Sequence, residues 1–231
     1  MVVFPGGLRA DAVIFDFDGI IVDTEPLHYQ AFQRVLEPLG LGFSWQEYVD
    51  AYMGFDDRDA FIEAFAVRGK TVAQRELHNL IGQKADFFQL IIRDGVTTYP
   101  GVIDLINKLH NEGVPLAISS GALHCDIAPI LNVLAITDCF EVIVTADNVT
   151  KSKPDPECYR LAFEKLFEQN PTLPLSPART IAIEDTPAGI ASAKTAGLQV
   201  IAVINSYPRN LVSDATSVVV SLEELIDFQI K

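Results

Sequence analysis

The sequence predicts an α/β fold: a doubly wound, Rossmann-like parallel sheet interrupted by an all-helical insertion. Three observations predict it. Six short runs rich in Val and Ile recur without polar alternation, as strands buried on both faces of a parallel sheet do. Apolar spacing of three and four fills segments between such runs, giving strand alternating with helix. From about Pro26 to about Gly95 only helical patterns occur, and an unstructured loop of that length inside an α/β domain would be abnormal.

The strands are read as AVIFD (12–16), PLAIS (115–119), EVIVTA (141–146), TIAIED (180–185), VIAVI (200–204) and SVVVS (217–221). Helices are expected over VIDLINKLHNEG (102–113) and PECYRLAFEKLFEQ (156–169), with Gly113 and Gly197 as stop signals. The insertion carries LHYQAFQRVLEPLG, DDRDAFIEAFAVRG and VAQRELHNLIGQKADFFQLIIRDG. The organisation that follows is an α/β core of residues 1–25 and 97–231 and a helical cap of residues 26–96. Thr24 to Pro26 and Thr98 to Gly101 are the expected hinges, and Trp45 with the Phe residues of the insertion its small core.

Composition narrows the function. With 231 residues and 49% hydrophobic content, the chain can bury a substantial core. A formal charge of −14 argues against nucleic acid or an anionic membrane as partner. It leaves anionic small substrates open, since a metal and a few placed cations can invert the local field. Cys125, Cys139 and Cys158 lack metal-type spacing and read as reduced thiols, buried or half-buried. Residues 1–10 do not resemble a signal peptide, and no uncharged apolar run approaches the roughly 18 residues of a membrane span. A cytoplasmic monomer is expected.

In open parallel sheets ligands sit beyond the carboxyl ends of the strands. Four such ends carry polar residues. The first ends in Asp16 and Asp18, and carboxylates emerging from a buried strand are costly unless paired, protonated or bound to metal. The second ends in Ser119, followed by Ser120 and Gly121. TADNVTKSKPDP brings Lys153, and the fourth end carries Glu184 and Asp185 before Pro187, which suits a first helical turn. Several carboxylates in one crevice imply a divalent cation, and oxygen-only ligands favour Mg2+.

DFDGIIVDTEPLH, the Ser119 strand end, KSKPDPECY and IAIEDTPAGI together resemble the four motifs of the haloacid dehalogenase-like superfamily, in its β-phosphoglucomutase-like branch with a helical cap. The resemblance covers essentially the whole chain. It implies that Asp16 is a nucleophile forming an aspartyl-phosphate and that Asp18 is the general acid and base. Asp16, the Asp18 backbone carbonyl and Asp185 would hold Mg2+, with Glu184 as ligand or supporting neighbour. Ser119 and Lys153 would hold the transferring phosphoryl oxygens, with Ser120 and Gly121 beside them. Dehalogenases and phosphonatases of the superfamily lack an acid at the position of Asp18, so a phosphate ester is the implied substrate class.

Hydrolase and mutase differ in the acceptor of the phosphoryl group. Thr24 and His28 fall where sugar phosphomutases carry a hinge threonine and a cap histidine, and Arg58 could reach a distal anionic group of substrate. Against a mutase, Ala122 and Leu123 stand where mutases carry a basic and an amide residue for a second phosphate. The expectation is a phosphatase of a small phosphorylated metabolite, with a phosphosugar mutase as alternative. A non-catalytic phospho-ligand sensor, or a receiver-type signalling domain, is the non-enzymatic reading. Receiver domains, however, are about half this length and lack a cap.

Overall fold

The structure, a computed structural model, describes residues 1–52, 55 and 57–231. The chain divides into two compact units, one of residues 1–23 and 97–231 and one of residues 24–96. No helix among the described residues is long and apolar enough to cross a membrane.

The first unit begins with β1 (Val2–Val3), β2 (Arg9–Ala10) and β3 (Ala12–Phe15). All four residues of β3 are buried, which explains the unbroken apolar run. Residues of the second unit form α1 (Glu25–Leu36), α2 (Trp45–Ala51), α3 (Asp57–Ala66) and α4 (Gln74–Arg93). The first unit then resumes with α5 (Val102–Asn111), β4 (Leu116–Ser119), α6 (His124–Val133), β5 (Val142–Val144), α7 (Glu157–Gln169) and β6 (Thr180–Glu184). It closes with α8 (Pro187–Thr195), β7 (Gln199–Val203), β8 (Ser217–Val219) and β9 (Gln229–Ile230).

Six strands form one parallel sheet in the order β5-β4-β3-β6-β7-β8. The register decides where the polar residues go. Phe15 lies opposite Ile118 and Ile183, so one residue further Asp16 stands level with Ser119 and Glu184. Side chains such as Ile14, Tyr159, Ala182, Ile190 and Val200 fill one core of this unit. All six strands expected from sequence are present. A small antiparallel sheet, β2-β1-β9, joins the two chain ends and is absent from that expectation. Its strands are two residues long, too short to show any periodicity. Residues 21–23 and 97–99 meet antiparallel, with Asp23 N–H donating to the Thr97 carbonyl and Tyr99 N–H to that of Ile21.

The second unit is helical in all its described elements. The expected α3 segment begins at Asp56, which lies outside the described residues; Asp57 opens the helix. Phe32, Leu36, Phe43, Tyr48, Phe61 and Leu80 make up much of its core, while Trp45 remains 41% exposed against Tyr29. Ser44 and Glu47 cap α2 reciprocally, each satisfying a backbone N–H that the helix start would otherwise leave open.

Among the described residues, one charged side chain is buried inside this unit. Lys84 is 1% exposed, and its ammonium donates to Asp57 Oδ1 at 2.7 Å and to His28 Nδ1 at 2.8 Å. Phe32 and Phe88 flank it at 5.0 and 5.3 Å from their ring centroids. Burial, and then the Lys84 charge, push the His28 pKa well down, so the ring is neutral. An ammonium only donates, so Nδ1 is the acceptor and Nε2 carries the hydrogen. Removing Asp57 would leave a buried cation with one neutral partner. Asp57→Ala is expected to destabilise the helical unit by roughly 3 kcal/mol, the low end for breaking a buried pair, because Asp57 is 28% exposed. Chemical denaturation of the variant against the parent measures it.

Candidate active site

Asp16, at the end of β3, is buried, and Lys153 donates to its Oδ1 at 2.7 Å. The same ammonium donates to Glu184 Oε1 at 2.7 Å and to the Ser119 carbonyl at 3.0 Å. It also lies 4.6 Å from the Tyr159 ring centroid. One cation thus pairs with two carboxylates from adjacent strands and offsets part of their charge.

Glu184 is fully buried and saturated with donors. Its Oε1 accepts from Lys153 and from Tyr159 Oη at 2.9 Å; its Oε2 accepts from Asp185 N, Thr186 N and Thr186 Oγ1 at 3.0 to 3.2 Å. Gly189 makes room for it: a Cβ there would lie 1.7 Å from Oε1. This glycine near the start of α8 is therefore a steric requirement of the site, not a break in the helix.

Asp185 is the contrast. It is fully buried, its Oδ2 accepts from Ser206 Oγ, and its Oδ1 has no hydrogen-bond partner among the described groups. An orphaned carboxylate oxygen in a dry site costs free energy unless something absent from the chain itself meets it. One oxygen from each of Asp16, Glu184 and Asp185 lie within 4.8 Å of one another. Asp18 is half-buried and close enough to raise the Asp185 pKa.

The electrostatics follow from this geometry. Burial pushes the Asp16 pKa well up despite the opposing Lys153 charge. Burial would raise Glu184 too, but Lys153 and the other donors outweigh it and hold that carboxyl below its usual range. Burial would depress Lys153, yet Asp16 and Glu184 raise it, keeping the ammonium charged. Asp185 is pushed up to about 7, chiefly by burial.

The sheet end thus brings Asp16, Asp18, Ser119, Lys153, Glu184 and Asp185 together. Ser119 is buried with its hydroxyl donating to Cys158 Sγ at 3.0 Å, while the Ser120 hydroxyl accepts from Ala122 N. Gly121 follows exposed in the same loop. The remaining candidates belong to the helical unit. Thr24 is buried at the start of α1, and His28 sits on Lys84. Arg58 is exposed on α3, and the Asp57 beside it pairs with Lys84. All three thiols are free; Cys139 and Cys158 are buried, but Cys125, in the first turn of α6, is exposed rather than buried or half-buried.

The family model described as haloacid dehalogenase-like hydrolase matches residues 13–203. The chain belongs to that family. A haloacid dehalogenase-like hydrolase is an enzyme, and the relatives include named phosphatases matched over four fifths or more of their length. A "phosphorylated carbohydrates phosphatase" of Thermotoga maritima is 28% identical, covering 82% of each chain. The β-phosphoglucomutase of Bacillus subtilis is 31% identical over 85% of this chain and 84% of its own. The crystal structure of CbbY from Rhodobacter sphaeroides, in complex with xylulose-1,5-bisphosphate, superposes with a TM-score of 0.79 at 25% identity. It covers 93% of this chain and 96% of that one.

Sequence reasoning missed three contributors to this hydrolase's site. Tyr159 was given no role beyond its place in the motif and the helix, though it lies in the first turn of α7, two residues after KSKPDPE. Asn205 and Ser206 directly follow the VIAVI run, so the strand-end rule applied to a fifth strand would have found them. Asn205 Nδ2 donates to the Gly19 carbonyl at 2.6 Å, and Ser206 to Asp185.

Proposed function

We propose that the chain is a magnesium-dependent phosphatase of a small phosphorylated carbohydrate, working as a cytoplasmic monomer through an aspartyl-phosphate on Asp16. The observation that carries this reading is the pairing, in one buried cluster, of a lysine-neutralised Asp16 with an Asp185 whose Oδ1 is bare. The donors fit a hard dication: all are oxygens, buried and close. Asp16, Asp185 and the Asp18 carbonyl would hold Mg2+, which would supply neutralisation of charge on the transferring phosphoryl group. Glu184, its oxygens already taken by five donors, is read as the residue that orients Lys153 rather than as a ligand.

The chain's own groups then account for the reaction. The Asp16 carboxylate attacks phosphorus, and the ester oxygen leaves as Asp18 gives it a proton. Asp18 afterwards takes a proton from water, which attacks the phosphorus of the acyl phosphate and frees inorganic phosphate and Asp16. Lys153 stabilises the charge shared between Asp16 and the phosphoryl oxygens. The Ser119 hydroxyl turns to the phosphoryl group at little cost, since a thiol is a weak partner to give up. Residues 26–96 act as the cap that selects substrate. The Thermotoga relative's name and the sugar bisphosphate held by CbbY support a carbohydrate ester. The identity with β-phosphoglucomutase and the presence of Thr24 and His28 favour the mutase as second reading, opposed by Ala122 and Leu123.

A panel of sugar phosphates including β-glucose 1-phosphate, with Mg2+ or with a chelator, tests both. Inorganic phosphate released only with Mg2+ is expected; an isomerised sugar phosphate points to the mutase, and no turnover of any ester overturns the reading. Binding of Mg2+ should also depend on pH. The Asp185 proton, held up to about 7 in the metal-free fold against 3.8 ordinarily, must leave before a cation binds. Calorimetric Mg2+ affinity is therefore expected to rise from pH 5 to about 7 and then level off.

A further inference from the structure

We propose that the carboxyl end of β7 supplies a positioning residue for this site: Ser206 fixes the Asp185 carboxylate so that Oδ1 alone is presented to the cation. The inference rests on the reading of the cluster as a Mg2+ site. A carboxylate turns about a broad, roughly two-fold torsion, so its buried surroundings decide which oxygen is bare. Here the Ser206 hydroxyl donates to Oδ2, and Oδ1 keeps no partner among the described residues. Gly19 closes the same side. With φ at +80°, its Cα backs onto Asp185 so closely that a Cβ would lie 2.0 Å from Oδ2.

The neighbouring residue secures that wall. Asn205 Nδ2 donates to the Gly19 carbonyl at 2.6 Å, so consecutive residues fasten the loop after β3 and the carboxylate after β6. The sheet makes this reach possible, because β7 pairs with β6 and places Ala202 level with Glu184. Outer hydrogen bonds of this kind orient a ligand, and losing one typically weakens metal affinity about 10- to 100-fold. Ser206 is itself exposed, so truncating it opens no hole in the core.

The test titrates Mn2+, which shares the preference for oxygen donors and is visible by electron paramagnetic resonance, into the full chain. Ser206→Ala is expected to bind about 10-fold more weakly with an unchanged melting temperature, and Ser206→Thr, which keeps the hydroxyl, to recover the affinity. Asp185→Ala is the control and is expected to lose the site. Parental affinity in Ser206→Ala, with loss in Asp185→Ala, overturns the positioning role and leaves the metal site standing. Parental affinity in Asp185→Ala removes both. Weak binding by Ser206→Thr with a parental melting temperature also overturns the role, because the hydroxyl would then not be the cause.

Discussion

Asp16→Asn is expected to lose activity on the order of 10^4-fold or more in kcat, the scale seen when a covalent nucleophile is removed. The amide keeps the shape of the carboxylate but cannot attack phosphorus. The same substitution is expected to leave the fold as stable as the parent, or more so, in metal-free buffer at neutral pH. The sign follows from the raised pKa of Asp16. An acid whose folded pKa exceeds its unfolded value of 3.8 binds its proton more tightly in the native state. Its contribution to stability then falls as pH climbs from the unfolded value toward the folded one. A neutral amide escapes that loss, so the melting curves of parent and variant should separate in the variant's favour as pH rises. Asp18→Asn should behave differently, accepting phosphate from a very good leaving group but releasing it slowly. Turnover retained in Asp16→Asn removes Asp16 from the nucleophile's place.

That a substitution can abolish activity and still spare the fold reflects why the site was legible in the sequence. Stability alone does not favour acids at the end of a four-residue buried strand, and Asp16 and Asp18 stood out against AVIF for that reason. The parallel sheet was legible through the same burial, since strands covered on both faces leave uninterrupted Val and Ile. The register then brought three separated motifs together by placing Asp16, Ser119 and Glu184 in a row, and Lys153 of the fourth motif joins them through its contacts to all three. What escaped notice were contacts whose residues look ordinary. Tyr159 occupies a core-facing helical position, and only its hydroxyl on Glu184 distinguishes it from packing. Ser206 is a loop serine until the fold sets it against Asp185. Lys84 is one polar residue in a periodic helix, and its burial depends on three side chains from elsewhere in the helical unit. The two-residue strands at the chain ends carry no pattern to read.

Lys153→Met is expected to be the most destabilising single change at the site, by about 3–5 kcal/mol at neutral pH, because it leaves two buried carboxylates without their cation. Methionine fills most of the volume, so the cost is electrostatic rather than a cavity. Lys153 donates to Asp16, Glu184 and the Ser119 carbonyl from a side chain only 12% exposed, and none of these can turn to water to compensate. The penalty has a pH signature. Glu184 has a depressed folded pKa, so its pairing with Lys153 adds stability above its unfolded value of 4.5, and that stability is lost as pH falls through the folded value. Denaturation of parent and variant in chelator should therefore differ most at neutral pH and converge on acidification, as Asp16 and Glu184 take up protons. A constant difference across pH would mean that packing, not charge, holds Lys153 in place. Activity should fall together with stability, but for a separate reason. Without the ammonium, Asp16 holds its proton to higher pH and is no longer an anion ready to attack. A Lys153→Arg variant, which keeps the charge but not the compact ammonium, should recover stability better than turnover.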